Sequence, residues 1–175
     1  MDSSVTISRD NFKKETNFVK TIARLLNVKP QMSRAAVISY GANSTLVTRF
    51  TSYSSVDEFK ARVDSAPYEG GDRRMDRAIW NAGRVLGEAR RSLPKVVILL
   101  TSGPDTQSID TETLFKAAEA LRGFNAKVYV VAIGSGPDVN ELLTLVGKRE
   151  DLFQVPSFDD LHKQGTSMAW RIAGL

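Results

Sequence analysis

The sequence has 175 residues, of which 42% are hydrophobic and 25% are charged, as in an ordinary globular domain. It contains no cysteine, which excludes disulfides and thiolate metal sites, and no run of about 18 apolar residues that would predict a transmembrane helix. The formal net charge of +4 permits an acidic partner but does not indicate nucleic acid. Residues 1–175 are therefore expected to form a single domain.

The first half of the chain alternates between helical and extended patterns. Apolar residues at helical spacing predict helices over 10–27, 55–63 and 74–91, the second with Ser54 or Ser55 as its N-cap. Between the first two helices, residues 34–40 form a predicted strand, and a turn leads to a second strand near 45–50. These two strands are expected to pair as an antiparallel hairpin, with the second at the edge of the sheet.

The second half begins with the stretch that organises the fold, Val96-Val97-Ile98-Leu99-Leu100. Its apolar residues do not alternate with polar ones, so the strand needs cover on both faces, as in a parallel sheet between helical layers. The remaining predicted elements, in chain order, are a helix after Asp110, a strand over 126–133, a helix over 138–146, a strand over 152–155 and a final helix from Phe158. Strands separated by helices predict a doubly wound, mostly parallel α/β sheet with helices on both faces. Within it, Val96–Leu100 and Val128–Ile133 are expected to be adjacent, fully buried strands.

Three loops carry oxygen-bearing side chains where strands end or helices begin. Asp2-Ser3-Ser4-Val5-Thr6 has the form Asp-x-Ser-x-Thr, Glu69-Gly70-Gly71-Asp72 precedes a helix, and Thr101-Ser102-Gly103 ends the organising strand. Oxygen ligands of this kind suit a hard divalent cation, although such clusters more often cap helices. Ligands of open α/β sheets bind beyond the carboxyl ends of the strands, so the three loops can converge on one point.

The whole chain resembles a von Willebrand factor type A domain, the module of integrin inserted domains and of matrix proteins. The resemblance rests on segments that arrive in the family's order: Asp2-Ser3-Ser4-Val5-Thr6, Arg34 to Tyr40, Gly70 to Ile79, Val97 to Gly103, Val131 to Gly134 and Leu152 to Val155. It implies an adhesion or matrix-binding module, part of a larger secreted protein. It also implies a metal-ion-dependent adhesion site that grips an acidic group on the partner.

The sequence departs from the family's metal site in two loops. Asp72 stands where the family has threonine, and Ser102 stands where it has aspartate. Because a carboxylate and a hydroxyl are exchanged between loops, the expected ligand set stays complete as Asp2, Ser4, Thr6, Asp72 and Ser102, for Mg²⁺ or alternatively Mn²⁺ or Ca²⁺. The alternative is that Asp72 caps the following helix and the site holds no metal.

The resemblance also implies a buried strand before Asp2, between the strands at 34–40 and 96–100. Since the sequence starts at Met1, we expect a fragment that lacks this strand. The two flanking strands should then pair directly, leave a gap, or pair with another chain, so self-association is expected.

The candidate function is binding of an extracellular matrix or cell-surface protein, collagen-like or other. Arg73, Arg74 and Asp105 are candidate ligand contacts, and the loops at 2–6, 70–76 and 102–106 form the expected surface. A basic helix face is a candidate site for sulfated glycan and comprises Arg73, Arg74, Arg77, Arg84, Arg90, Arg91 and Lys95. Separately, Asn43-Ser44-Thr45 is a glycosylation sequon. The alternatives are a metal-free structural module or a phosphatase-like hydrolase. The latter is disfavoured because Ser4 stands where its second aspartate is needed.

Overall fold

The computed structural model describes residues 1–89, 92–106 and 111–174. Six α-helices lie in these ranges, and they are α1 (Arg9–Leu25), α2 (Val56–Asp64), α3 (Met75–Leu86), α4 (Thr111–Gly123), α5 (Val139–Leu143) and α6 (Gly165–Ala173). The five strands are β1 (Val37–Tyr40), β2 (Ser44–Thr48), β3 (Lys95–Thr101), β4 (Ala126–Ile133) and β5 (Leu152–Val155). Two 3-10 helices, Arg149–Asp151 and Phe158–Gln164, flank β5, so the predicted final helix starts as a 3-10 turn.

The strands form the α/β arrangement that the sequence predicts. β3 pairs with β4 in parallel, from Lys95 opposite Ala126 to Thr101 opposite Ala132, and β5 joins β4 in parallel. β1 and β2 form the expected antiparallel hairpin, with Tyr40 opposite Ser44. The predicted adjacency of the two most apolar strands is therefore confirmed.

The sheet is covered on both faces, as the continuous apolar runs require. Along β4, Tyr129, Val131 and Ile133 belong to a core cluster with residues of α1, α2 and α6. The alternate residues Val128, Val130 and Ala132 belong to a second cluster with α3, α4 and α5. Successive side chains of a strand point to opposite faces, so this split places helices on both sides.

A gap separates the two groups of strands. In the described part of the chain, β1 and β2 form one sheet, and β3, β4 and β5 form another. Between β1 and β3 lies a mainly apolar cavity of about 630 Å³. β3 is consequently an edge strand with Val96, Val97 and Ile98 only half-buried, so the prediction that Val96–Leu100 is fully buried is wrong. The sequence analysis expected β1 and β3 to pair directly, to leave a gap or to pair with another chain, and the structure shows the gap.

One helix end differs from the sequence prediction, and one predicted cap lies outside the described residues. The third helix ends at Leu86 instead of residue 91, and residues 90 and 91 lie outside the described ranges. The predicted Asp110 cap also lies outside them. No helix in the described ranges is long and apolar enough to cross a membrane.

Candidate functional site at the strand ends

The first loop is held beside β1 and buries its aspartate. The amide of Tyr40 donates to the carbonyl of Met1 at 3.0 Å, and the amide of Ser3 donates to the carbonyl of Tyr40 at 2.7 Å. Asp2 is completely buried, and its Oδ1 accepts a hydrogen bond from the amide of Ser4 at 3.0 Å. The hydroxyls of Ser4 and Thr6 lie 3.2 Å apart. The three predicted oxygens of this loop are therefore close together.

The second loop turns twice through left-handed backbone. Gly70 and Gly71 have φ angles of 66° and 67°, a region that glycine adopts without a steric penalty. The amide of Val5 donates to the carbonyl of Gly71 at 2.9 Å, which joins this loop to the first. After the turn, Asp72 is exposed and Arg73 is only 3% exposed. The chain thus directs the arginine, rather than the aspartate, into the interior.

The guanidinium of Arg73 lies among the oxygens predicted to bind the metal. Its Nε donates to Oδ2 of Asp2 at 2.6 Å. Its Nη2 donates to the hydroxyl of Thr6 and, at 2.9 Å, to the hydroxyl of Ser102. Its Nη1 donates to the carbonyl of Pro104 at 3.3 Å. One buried cation therefore connects the first and third loops.

The third loop fits around this cation. A Cβ on Gly103 would lie 2.3 Å from Nη1 of Arg73, so only glycine leaves room for the guanidinium in this position. Thr106 fixes the arginine backbone, because its hydroxyl accepts from the amide of Arg73 at 2.8 Å and its amide donates to the carbonyl of Arg73 at 3.0 Å. The amide of Ser102 also donates to Oδ2 of Asp2 at 3.3 Å.

A second buried carboxyl, that of Glu15 on α1, lies behind the first loop. Its Oε2 accepts a hydrogen bond from the amide of Asp2 at 2.8 Å. Burial raises the pKa of Glu15 to about 8, and the charge of Asp2 adds to this rise, while the amino terminus opposes it. Glu15 is therefore largely protonated at neutral pH, which limits the negative charge around Asp2.

The candidate ligand contacts are used inside the protein. Arg73 is buried, and Arg74 donates two hydrogen bonds, of 2.8 and 2.6 Å, to the carboxylate of Asp76. Asp105 is buried, and its Oδ2 accepts from the amide of Asp76 at 3.1 Å in the first turn of α3. An acidic group near a helix N-terminus is stabilising. Two of the three residues are therefore buried and the third is paired with Asp76, and their contact with a ligand stays a prediction.

Fewer residues of the predicted basic helix face are exposed than the sequence suggested. Of its described members, Arg73 is buried and Lys95 is nearly so, with its ammonium donating to the carbonyl of Leu93. Arg77 and Arg84 are exposed, and residues 90 and 91 lie outside the described ranges. Asn43 of the sequon is exposed at the turn between β1 and β2, so its glycosylation stays a prediction.

Sequence reasoning missed the structural parts played by Arg73 and Glu15. Glu15 carried a signal, because it lies on the apolar face of α1, three residues after Phe12 and four before Val19. The sequence signal for the burial of Arg73 is weak, since an arginine beside the Gly-Gly turn is equally compatible with exposure to solvent. Its direction depends on the space beside Gly103, which becomes visible only in three dimensions.

The fold and the three loops at its strand ends define an α/β domain whose candidate site is built from loops. The chain matches the von Willebrand factor type A domain family over residues 1–166 and belongs to that family. Among curated proteins it is 24% identical to cuticlin-6 of Caenorhabditis elegans, over 97% of this chain and 29% of that protein. It is 26% identical to the collagen alpha-1(XXI) chain of Xenopus laevis, over 85% of this chain and 15% of that protein.

Solved structures agree with this assignment. Proximal thread matrix protein 1 of the mussel byssus, with zinc in its metal-ion-dependent adhesion site, has a TM-score of 0.85 at 25% identity, over 98% of this chain and 43% of that one. The manganese-loaded TRAP protein of Plasmodium vivax shares the fold, with a TM-score of 0.72 at 18% identity, over 93% of this chain and 68% of that one. The chain spans less than a third of the length of both curated relatives. This kinship with matrix proteins confirms the expected extracellular setting.

The donor set of this chain does not fit the divalent ion that the family implies. An ion bound by Thr6 and Ser102 would lie about 2.0–2.1 Å from their oxygens. Those hydroxyls and Oδ2 of Asp2 already accept hydrogen bonds from Arg73, whose positive charge would oppose a second cation there.

Proposed function

We propose that this domain is a protein-interaction module of an extracellular matrix protein and binds its partner over the loop surface. The loop surface comprises residues 2–6, 70–76 and 102–106. Membership of the family and the similarity to matrix proteins support the class of function. The observation that carries the proposal is that the three loops are joined into one surface by direct hydrogen bonds.

The exposed part of this surface is chemically mixed. Val5 is 68% exposed, and its amide is held by a hydrogen bond to the carbonyl of Gly71. Asp72, Pro104 and Thr106 are also exposed on the same loops. Interfaces between proteins combine apolar anchors with a polar rim. Val5 is therefore the proposed anchor, with the other three residues around it.

Collagen is the first partner to examine, because a collagen chain is among the similar proteins. In a solid-phase assay, the domain should bind immobilised matrix proteins, and Val5→Asp should weaken that binding at least tenfold, since a charge replaces the apolar contact. Trp170→Asp is the matched control: Trp170 lies on α6, is 76% exposed, and its replacement should leave binding unchanged. Unchanged binding by Val5→Asp would place the interface elsewhere on the domain.

The arrangement of the three loops supports hydrolase activity less well than binding. The phosphatase-like hydrolase considered as an alternative needs an aspartate that can attack its substrate. Asp2 is completely buried, and its carboxylate is bonded to Arg73 and to two backbone amides. An enclosed carboxylate held by a salt bridge is a poor nucleophile. The binding function is therefore the one that we propose.

A further inference from the structure

We propose that the guanidinium of Arg73 is the resident cation of this site and replaces the divalent ion of the family. Because this cation is covalently part of the chain, it cannot dissociate from the site as a metal ion can. It makes the domain independent of metal ions, whichever partner the loop surface binds.

The first argument is the number and direction of the contacts. Arg73 donates to a carboxylate, two hydroxyls and a carbonyl, from all three of its nitrogens. The carboxylate and hydroxyls belong to Asp2, Thr6 and Ser102, three of the five residues predicted as metal ligands. A guanidinium has five N–H donors in a fixed planar fork and keeps its charge over the physiological pH range. It can therefore satisfy several separate oxygens at once, as a coordinated ion does.

The second argument is that the surrounding chain is shaped for this side chain. Gly103 leaves the volume that the guanidinium needs, since a Cβ there would lie 2.3 Å from Nη1. Thr106 holds the backbone of Arg73 through both its hydroxyl and its amide. The ion pair with Asp2 is almost completely enclosed, with side-chain exposures of 4% for Arg73 and 0% for Asp2. A buried charge pair of this kind persists only when further hydrogen bonds satisfy both groups.

The replacement changes how a partner can be recognised. A bound divalent ion with an open coordination position attracts an acidic group from outside. Arg73 is 3% exposed and directs its N–H groups at the protein's own oxygens, so it offers no such position. Recognition by the loop surface then depends on the exposed residues around the site, and an acidic group on the partner is not required.

The test starts with the unchanged chain. Its melting temperature should differ by less than about 1 °C between millimolar Mn²⁺ and a chelator, because an ion that does not bind the folded state cannot stabilise it. The electron paramagnetic resonance signal of Mn²⁺ should show no stoichiometric binding. A metal-dependent rise in melting temperature or a bound Mn²⁺ signal would overturn the proposal.

Arg73→Ser supplies the complementary result. Removing the guanidinium leaves Asp2 buried without its partner, and the melting temperature should fall by about 10 °C. The freed oxygens of Asp2, Thr6 and Ser102 should then accept Mn²⁺, so that the variant regains stability with ion concentration. If the Arg73→Ser protein folds but its melting temperature does not change with Mn²⁺, the contact between Arg73 and Asp2 is an ordinary salt bridge and the loops do not form a cation site.

Arg84→Ser is the matched control for that variant. Arg84 lies on α3, is exposed, and donates to the side chain of Asn81. Its replacement should change the melting temperature little and confer no response to Mn²⁺. Neither measurement depends on the partner, so failure of the proposed interaction with matrix proteins would leave this test intact.

Discussion

Gly103→Ala is the sharpest perturbation of the strand-end site. The added Cβ would lie 2.3 Å from Nη1 and 3.0 Å from Cζ of Arg73. Van der Waals separation is about 3.5 Å, so the guanidinium must move by roughly 1 Å. We expect a shift of that size to strain the 2.6 Å bond from Nε to Asp2 and the 2.9 Å bond from Nη2 to Ser102.

The expected cost follows from leaving a buried charge poorly paired. Breaking one partner of a buried ion pair costs about 3–5 kcal/mol, and the loss of chain freedom in the unfolded alanine variant returns about 0.4–1 kcal/mol. The free energy of unfolding should therefore fall by about 2–4.6 kcal/mol. Urea denaturation followed by circular dichroism measures this difference, provided that the slope of the transition is unchanged.

Two comparisons decide whether the reasoning holds. Gly147→Ala places its Cβ in open space and should stay within about 0.5 kcal/mol of the parent. In an Arg73→Ser background, Gly103→Ala should cost almost nothing, because the clashing group is gone and the two changes are coupled. A Gly103→Ala protein within about 1 kcal/mol of the parent would refute the idea that the guanidinium is fixed in this position.

Two further outcomes are expected. The unfolded Glu15 carboxyl ionises near pH 4.5, whereas burial raises its pKa in the folded protein to about 8. Stability should therefore fall as pH rises through this window, by up to about 1.4 kcal/mol per pH unit. Glu15→Gln should flatten that slope in urea titrations at pH 5, 6, 7 and 8, and an unchanged slope would assign the pH dependence to other groups. The facing edges of β1 and β3 predict that the isolated chain associates, so its sedimentation coefficient should rise with concentration, and a monomeric, high-melting protein would contradict this.

Much of the fold was predictable because local and global signals agree. The apolar runs in β3 and β4 specify buried parallel strands, and their pairing is confirmed. Ser55 and Asp138 accept hydrogen bonds from the first turns of α2 and α5, which are the capping contacts expected of residues at helix starts. What the sequence could not give was the exposure of Val96 to Ile98, because that depends on which strand lies beside them.

The site was predictable in position but not in chemistry. The order of the loops places Asp2, Thr6 and Ser102 at one edge, and the structure brings their oxygens to a common partner. Asp72 was expected to supply a direct ligand, but it is exposed and its neighbour turns inward. Whether the carboxylate of Asp72 or the guanidinium of Arg73 enters the site depends on which of these two neighbours turns inward. That choice depends on the packing of the side chain against Gly103, which the sequence does not show.

A cation carried by the chain also has a consequence for the order of folding events. A dissolved ion can enter a site after the protein has folded, and loses its water only then. The guanidinium of Arg73 must instead lose its water while the chain closes, in contact with residues 71 positions before it and 29 after it. Contacts so distant in sequence are associated with slower folding. The site therefore has to be completed during folding, and we expect the folding rate to be independent of the concentration of divalent ions.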